Sequence, residues 1–221
     1  MRRYNIVILS VLIAFISRGC KDTPVDVQDS SPMFHARVVD SHNNPIADVG
    51  FHYIFYFGNN IHSRELLIEY QLQSADTITV KIADSFGNSM GTINRGYEQA
   101  GNHSIRYYVS FFSNGIYYFT VSGKTINQRL KMFVRTDDIT ELIQTSPFAK
   151  TDANGNLQIP YSVLGIGEQL TFQNDSTHLQ LTIGDSIRVV LFKPYYQWLV
   201  TQYIILDTTK TFQTTFQLQD N

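Results

Sequence analysis

Three groups of side chains in this 221-residue chain have types and spacing that could do chemistry. The first is Gly87-Asn88-Ser89-Met90-Gly91, which matches the letters G-x-S-x-G. That motif presents a nucleophilic hydroxyl when a strand ends in a sharp turn and a helix follows. Here a Gly-rich extended stretch follows, so a turn explains the letters and Ser89 is not expected to be a nucleophile. The second group is the six histidines, His35, His42, His52, His62, His103 and His178. None forms His-x-His or His-Glu-x-x-His, so no zinc site and no other metal is expected. Asp152-x-Asn154-Gly155 has the first letters of a calcium loop but lacks the further oxygen ligands and the distal Glu, and a hairpin turn explains it better. The third group is aromatic: Tyr107 and Tyr108, Phe111 and Phe112, then Tyr195, Tyr196 and Trp198. Neighbours on a strand point to opposite faces, so one face cannot hide both members of such pairs. Exposed rings can stack on sugars or anchor a protein partner. The competing reading, which is favoured, packs them between domains.

Cys20 is the only cysteine, so no internal disulfide forms and folding must rely on core burial. Arg2 and Arg3 precede an apolar run at residues 6–16. As a helix this run spans about 16 Å against a hydrocarbon core of about 30 Å, so a signal peptide over 1–19 is expected rather than a membrane span. Ser17-Arg18-Gly19-Cys20 resembles the lipobox of bacterial lipoproteins, with Arg18 where a small or apolar residue is usual. The resemblance implies lipidation of Cys20. At about 0.8 kcal/mol per buried methylene, two or more acyl chains anchor a protein stably. Residues 20–33 read as a polar tether. Its opening, Lys21-Asp22, is weakly similar to the surface-export signal of Bacteroidetes lipoproteins, which favours the outside face of the outer membrane.

The elements that must position these groups are strands. The chain is 43% hydrophobic and 16% charged, which marks it as globular, and its 15 Phe and 13 Tyr suit pleated, half-buried surfaces. Net charge is −2; without residues 1–19 it becomes −5, and no Lys/Arg cluster tracks a phosphate backbone, so nucleic acid is not an expected partner. Residues 34–57 hold two strand-like runs around Asp40–Pro45, a hairpin or a short arch. In "DTITVKIAD" (76–84), Ile78, Val80 and Ile82 alternate with polar residues. Residues 85–91 read as a turn, Ser113-Asn114-Gly115 as a turn into 116–121, and 137–145 as the best helix, capped by Asp137 or Asp138. Strand patterns return over 146–219. There is no βαβ rhythm, and the fold class is all-β.

Two resemblances refine this. The run 66–135, with Asp84-x-x-Gly87, Ala100-Gly101-x-His103, Ser113-x-Gly115-x-Tyr117 and Lys131-Met132, resembles the immunoglobulin-like fold shared by the flagellar hook-cap protein FlgD and the type IX secretion sorting domain. Tyr107 stands where that family usually has Trp. Residues 36–51, "ARVVDSHNNPIADVGF", resemble the opening of a carboxypeptidase regulatory-like domain, and that family's Thr-Asp-x-Asn-Gly appears only at 151–155. The resemblances imply two β-sandwiches, immunoglobulin-like and transthyretin-like, one inserted in the other. Residues 34–57 plus 146–219 would form the first, 64–135 the inserted module and 136–145 a linker. A sorting signal has to be terminal, so the inserted module is expected to be structural or binding. The expected function is a non-catalytic, lipid-anchored cell-envelope protein that binds a protein or carbohydrate, with no cofactor. The alternatives are an accessory subunit of an outer-membrane secretion or uptake system, and a hydrolase using Ser89 or a hidden carboxylate pair.

Overall fold

The computed structural model describes residues 31–56, 65–174 and 177–221, without the side chains of 171–179. The expected signal peptide, Cys20, most of the tether, His62 and the His178 side chain lie outside the described residues. The strands are β1 (Met33–Val39), β2 (Gly50–Phe55), β3 (Glu65–Leu72), β4 (Asp76–Asp84), β5 (Ser89–Glu98), β6 (Gly101–Tyr108), β7 (Gly115–Ser122) and β8 (Asn127–Val134). The short helix α1 (Ile139–Leu142) follows, then β9 (Ala149–Lys150), β10 (Asn156–Pro160) and a second short helix, α2 (Tyr161–Leu164). The chain closes with β11 (Gln169–Asn174), β12 (Thr177–Thr182), β13 (Ser186–Phe192), β14 (Leu199–Ile205) and β15 (Phe212–Gln217). The protein is all-β.

Alternation sets the burial. In β4, Ile78, Val80 and Ile82 are buried while Thr77 and Lys81 face water. β4 lies in the sheet β5-β4-β7-β8, and β3 pairs with β6. Together these six strands enclose one apolar cluster, which includes Ile68, Ile78, Val80, Phe119 and Val121. β1 and β2 do not pair with each other, so the segment between them is an arch, not a hairpin. β1 sits between β10, antiparallel, and β15, parallel. β2 lies in the order β14-β13-β2-β9. The partners of both strands thus come from beyond residue 148. A second apolar cluster joins Phe34, Phe51, Tyr53 and Phe55 to Ile159, Ile187, Val189 and Leu191, and takes in Ile116 and Phe133. Ser31–Asn221 forms one compact unit.

β2 departs from half-burial, because all six of its residues are buried. Phe51, Tyr53 and Phe55 fill the larger cluster, while on the other face Ile54 packs with Leu142 of α1 and Val190. The helix is shorter than the expected 137–145. Asp138 caps it by accepting from the N–H groups of Thr140 and Glu141, whereas Asp137 pairs with Arg135. The expected turn at 85–91 is also shorter, since β5 already begins at Ser89.

Three loops share one construction: Asp40–Asn44, Asp84–Asn88 and Asp152–Asn156. In each, the Asp Oδ1 accepts from the backbone N–H groups two and four residues on, at 2.8–3.0 Å. In each, the fourth residue is left-handed: Asn43 at φ 66°, Gly87 at 86° and Gly155 at 72°. The Asn44 side-chain amide, then its backbone N–H, holds the Asp40 carboxyl below the usual carboxylate range, and the Asn156 backbone N–H does the same first for Asp152. The surroundings differ. A Cβ on Gly155 would lie 2.5 Å from the Val38 carbonyl oxygen, while one on Gly87 would meet nothing within 4 Å. Gly87→Asn is therefore expected to change stability by less than about 1 kcal/mol, as Asn43 illustrates, and Gly155→Asn to lose more than about 2 kcal/mol. Side-by-side urea melts check this, and equal losses would contradict it.

Candidate functional site

The turn after β13 carries the most unusual backbone of the aromatic groups. Tyr195 is left-handed at φ 73° although it has a side chain, and it is 87% exposed. Such a conformation costs of order 1–3 kcal/mol and persists only when its surroundings impose it. Here the imposing contacts are backbone bonds to the last residues. Asn221 N–H donates to the Tyr195 carbonyl, Gln197 N–H to the Gln219 carbonyl, and Tyr196 bridges Asp220. Beside this turn an open groove of about 550 Å3 is lined by Phe192, Tyr196, Gln197, Trp198 and Asn221. Trp198 is 47% exposed, and Tyr196 is half-buried against the larger core. The sequence pointed to Tyr195, Tyr196 and Trp198. It did not point to Phe192, Gln197 or Asn221. Phe192 ends a strand and reads as core, and the approach of residues 219–221 is a tertiary contact.

The other aromatic pairs divide. Tyr107 and Tyr108 alternate as strand neighbours must. Tyr107 packs against Phe112 and Phe119, with ring centroids 6.1 and 5.9 Å away, and Tyr108 is 71% exposed. Phe111 is 76% exposed, but Phe112 is buried and stacks on Tyr117 at 4.6 Å, so it offers no face to a ligand. The favoured packing of these pairs between domains does not describe Tyr108, Phe111 or Tyr195, which face solvent. Different rings join segments distant in sequence: Phe55 of β2 with Phe133 of β8 at 6.2 Å, and Phe86 with Phe148 at 5.1 Å.

A second polar constellation is buried. His52 Nδ1 lies 3.1 Å from Ser113 Oγ, and both residues are nearly inaccessible. Burial alone pushes the His52 imidazole down to about 4, so it is neutral near pH 7. A small cleft of about 200 Å3 beside it is lined by Asp48, Thr145, Lys150 and Phe192, among others. The next residue, Asn114, reads as part of a turn and is 1% exposed. Its amide donates to the carbonyls of Tyr53 and Thr136 at 2.9 Å and accepts from Thr136 N–H at 2.7 Å. The Tyr117 hydroxyl donates to the Ser113 carbonyl at 3.1 Å.

Ser89 lies exposed at the start of β5, paired with Ala83 across a hairpin. Among the described residues Ser41 meets the His42 ring and Ser113 the His52 ring. His103 is stacked on Tyr70 at 5.4 Å, with Nε2 2.8 Å from the Gln99 carbonyl. Among the described residues no three His, Cys, Asp or Glu side chains cluster as metal ligands. No described helix is long and apolar enough to cross a membrane. No protein-family model, curated protein or solved structure matches this chain.

Proposed function

We propose that the chain is a non-catalytic, lipid-anchored cell-envelope protein that works as a binding module. In this reading Cys20 carries the acyl anchor, the polar residues after it form the tether, and the β unit presents the recognition surface outward. The finer architecture belongs to the same proposal: an immunoglobulin-like sandwich over 64–135, threaded into a transthyretin-like sandwich made of 34–57 and 146–219. The pairing of β1 with β10 and β15, and of β2 with β13 and β9, supports it.

One observation carries the binding reading. Tyr195 is held left-handed and outward, next to a groove lined by three further aromatic rings. Large rings are normally withdrawn from water, and strain concentrated at an exposed aromatic turn points to use of that surface. Binding proceeds through surface complementarity, with no bond made or broken. The anchoring half is tested by growth with labelled palmitate. The intact protein is expected to take up label and partition with membranes, and Cys20→Ser to lose both. Equal labelling of the two would sink the lipoprotein reading.

A further inference from the structure

We infer that the groove formed by Phe192, Tyr196, Gln197, Trp198 and Asn221 takes a neutral carbohydrate chain, an assignment that rests on the binding-module reading above. The argument is chemical. No Asp, Glu, Lys, Arg or His side chain lines the groove, so an anionic ligand would find no counter-charge there. Lys193, the nearest cation in sequence, spends its ammonium on the Ala47 carbonyl. A purely apolar ligand fits no better, because the Gln197 and Asn221 amides and the Tyr196 hydroxyl would lose water without gaining a partner. A sugar ring presents apolar C–H faces and a rim of hydroxyls. The faces suit Trp198, Tyr196 and Phe192, and the hydroxyls suit the amides, which both donate and accept. The volume, about 550 Å3, lies within the span of small-ligand sites, roughly 300–1,000 Å3. The groove is open to solvent rather than enclosed, which suits a chain running through it. Tyr195, 87% exposed, adjoins the groove through the bond from Asn221 N–H to its carbonyl.

Trp198 is the only tryptophan in the chain, so its fluorescence reports on this groove alone. The experiment uses the full chain in a detergent without a sugar headgroup, titrated with cellohexaose, maltohexaose, xylohexaose and laminarihexaose. Oligogalacturonate serves as the anionic control and Nile red as the apolar one. The expected result is a saturable change in Trp198 emission with at least one neutral oligosaccharide. Tyr195→Ala and Tyr196→Ala should each weaken it by about tenfold or more, while Tyr97→Ala, on an exposed ring of β5, leaves it unchanged. Circular dichroism of each variant separates lost binding from lost folding. Silence across the four neutral oligosaccharides, or equal binding of oligogalacturonate, overturns the carbohydrate assignment. If Nile red alone binds, and Tyr196→Ala abolishes it, the groove remains a binding site for another ligand class. Silence to every probe removes the groove from the binding-module reading as well.

Discussion

Replacing Asn114 with alanine is expected to remove about 3 kcal/mol or more of unfolding free energy. The side chain is 1% exposed and makes three hydrogen bonds, to Tyr53 O, Thr136 O and Thr136 N–H. Alanine would leave two carbonyls and one N–H buried without a partner, at about 1–3 kcal/mol each. The loss is large because of what the amide joins. Tyr53 lies in β2, in the larger apolar cluster, and Thr136 lies just past β8, which closes the smaller one. Asn114→Asp should do no better, since a carboxylate would face the two carbonyls that the amide NH2 now satisfies. Urea unfolding measures the effect as a lower midpoint at unchanged slope. A loss under about 1 kcal/mol would show that these three bonds do not hold the clusters together.

The second large effect is a pH dependence centred on His52. Burial of this β2 residue against the Ser113 segment pushes its imidazole down to about 4 in the folded protein, against an ordinary value of 6.5. Between these values the unfolded chain binds the proton and the folded protein does not. Stability is therefore fully present above about pH 6.5 and falls as the pH drops towards 4. The separation corresponds to about 3 kcal/mol in all, most of it lost by pH 4.5. Carboxylates titrate in the same range, so the measurement is a difference. Urea unfolding of the wild type and of His52→Phe, each at pH 7 and pH 4.5, isolates the histidine. The phenylalanine variant loses the Ser113 bond and is offset at both pH values. Its drop between them is expected to be smaller by about 2–3 kcal/mol. Equal drops would mean that His52 is protonated in the folded state or reached by water.

Much of the fold was legible because it is written in neighbours. The alternation of Ile78, Val80 and Ile82 is a property of nine consecutive residues, and β4 spans them as read. The loops at Asp40, Asp84 and Asp152 close on bonds spanning at most four residues, so their chemistry sits within the turn. Asp138 caps α1 for the same reason. The division of Tyr107 from Tyr108 followed from the pleat. The carboxy-terminal aromatics of the groove were singled out by type alone, and their exposure depended on where other segments ran.

What the tertiary structure alone decided is which faces are covered and by what. The run at 34–57 reads equally well as a hairpin or an arch, and the partners of β1 and β2 lie roughly a hundred or more residues away. β2 loses its solvent face to α1 and to the Ser113 segment, which makes His52 a buried base and Ile54 a core residue. Asn114 is buried by its own bond to Tyr53 of β2, although its local pattern reads as a turn. Groove residues Gln197 and Asn221 meet only because the chain's last residues return to the β13–β14 turn. Periodicity is a local quantity, carried by covalent spacing. Burial is a sum over segments distant in sequence, so it exists only once the chain has closed on itself.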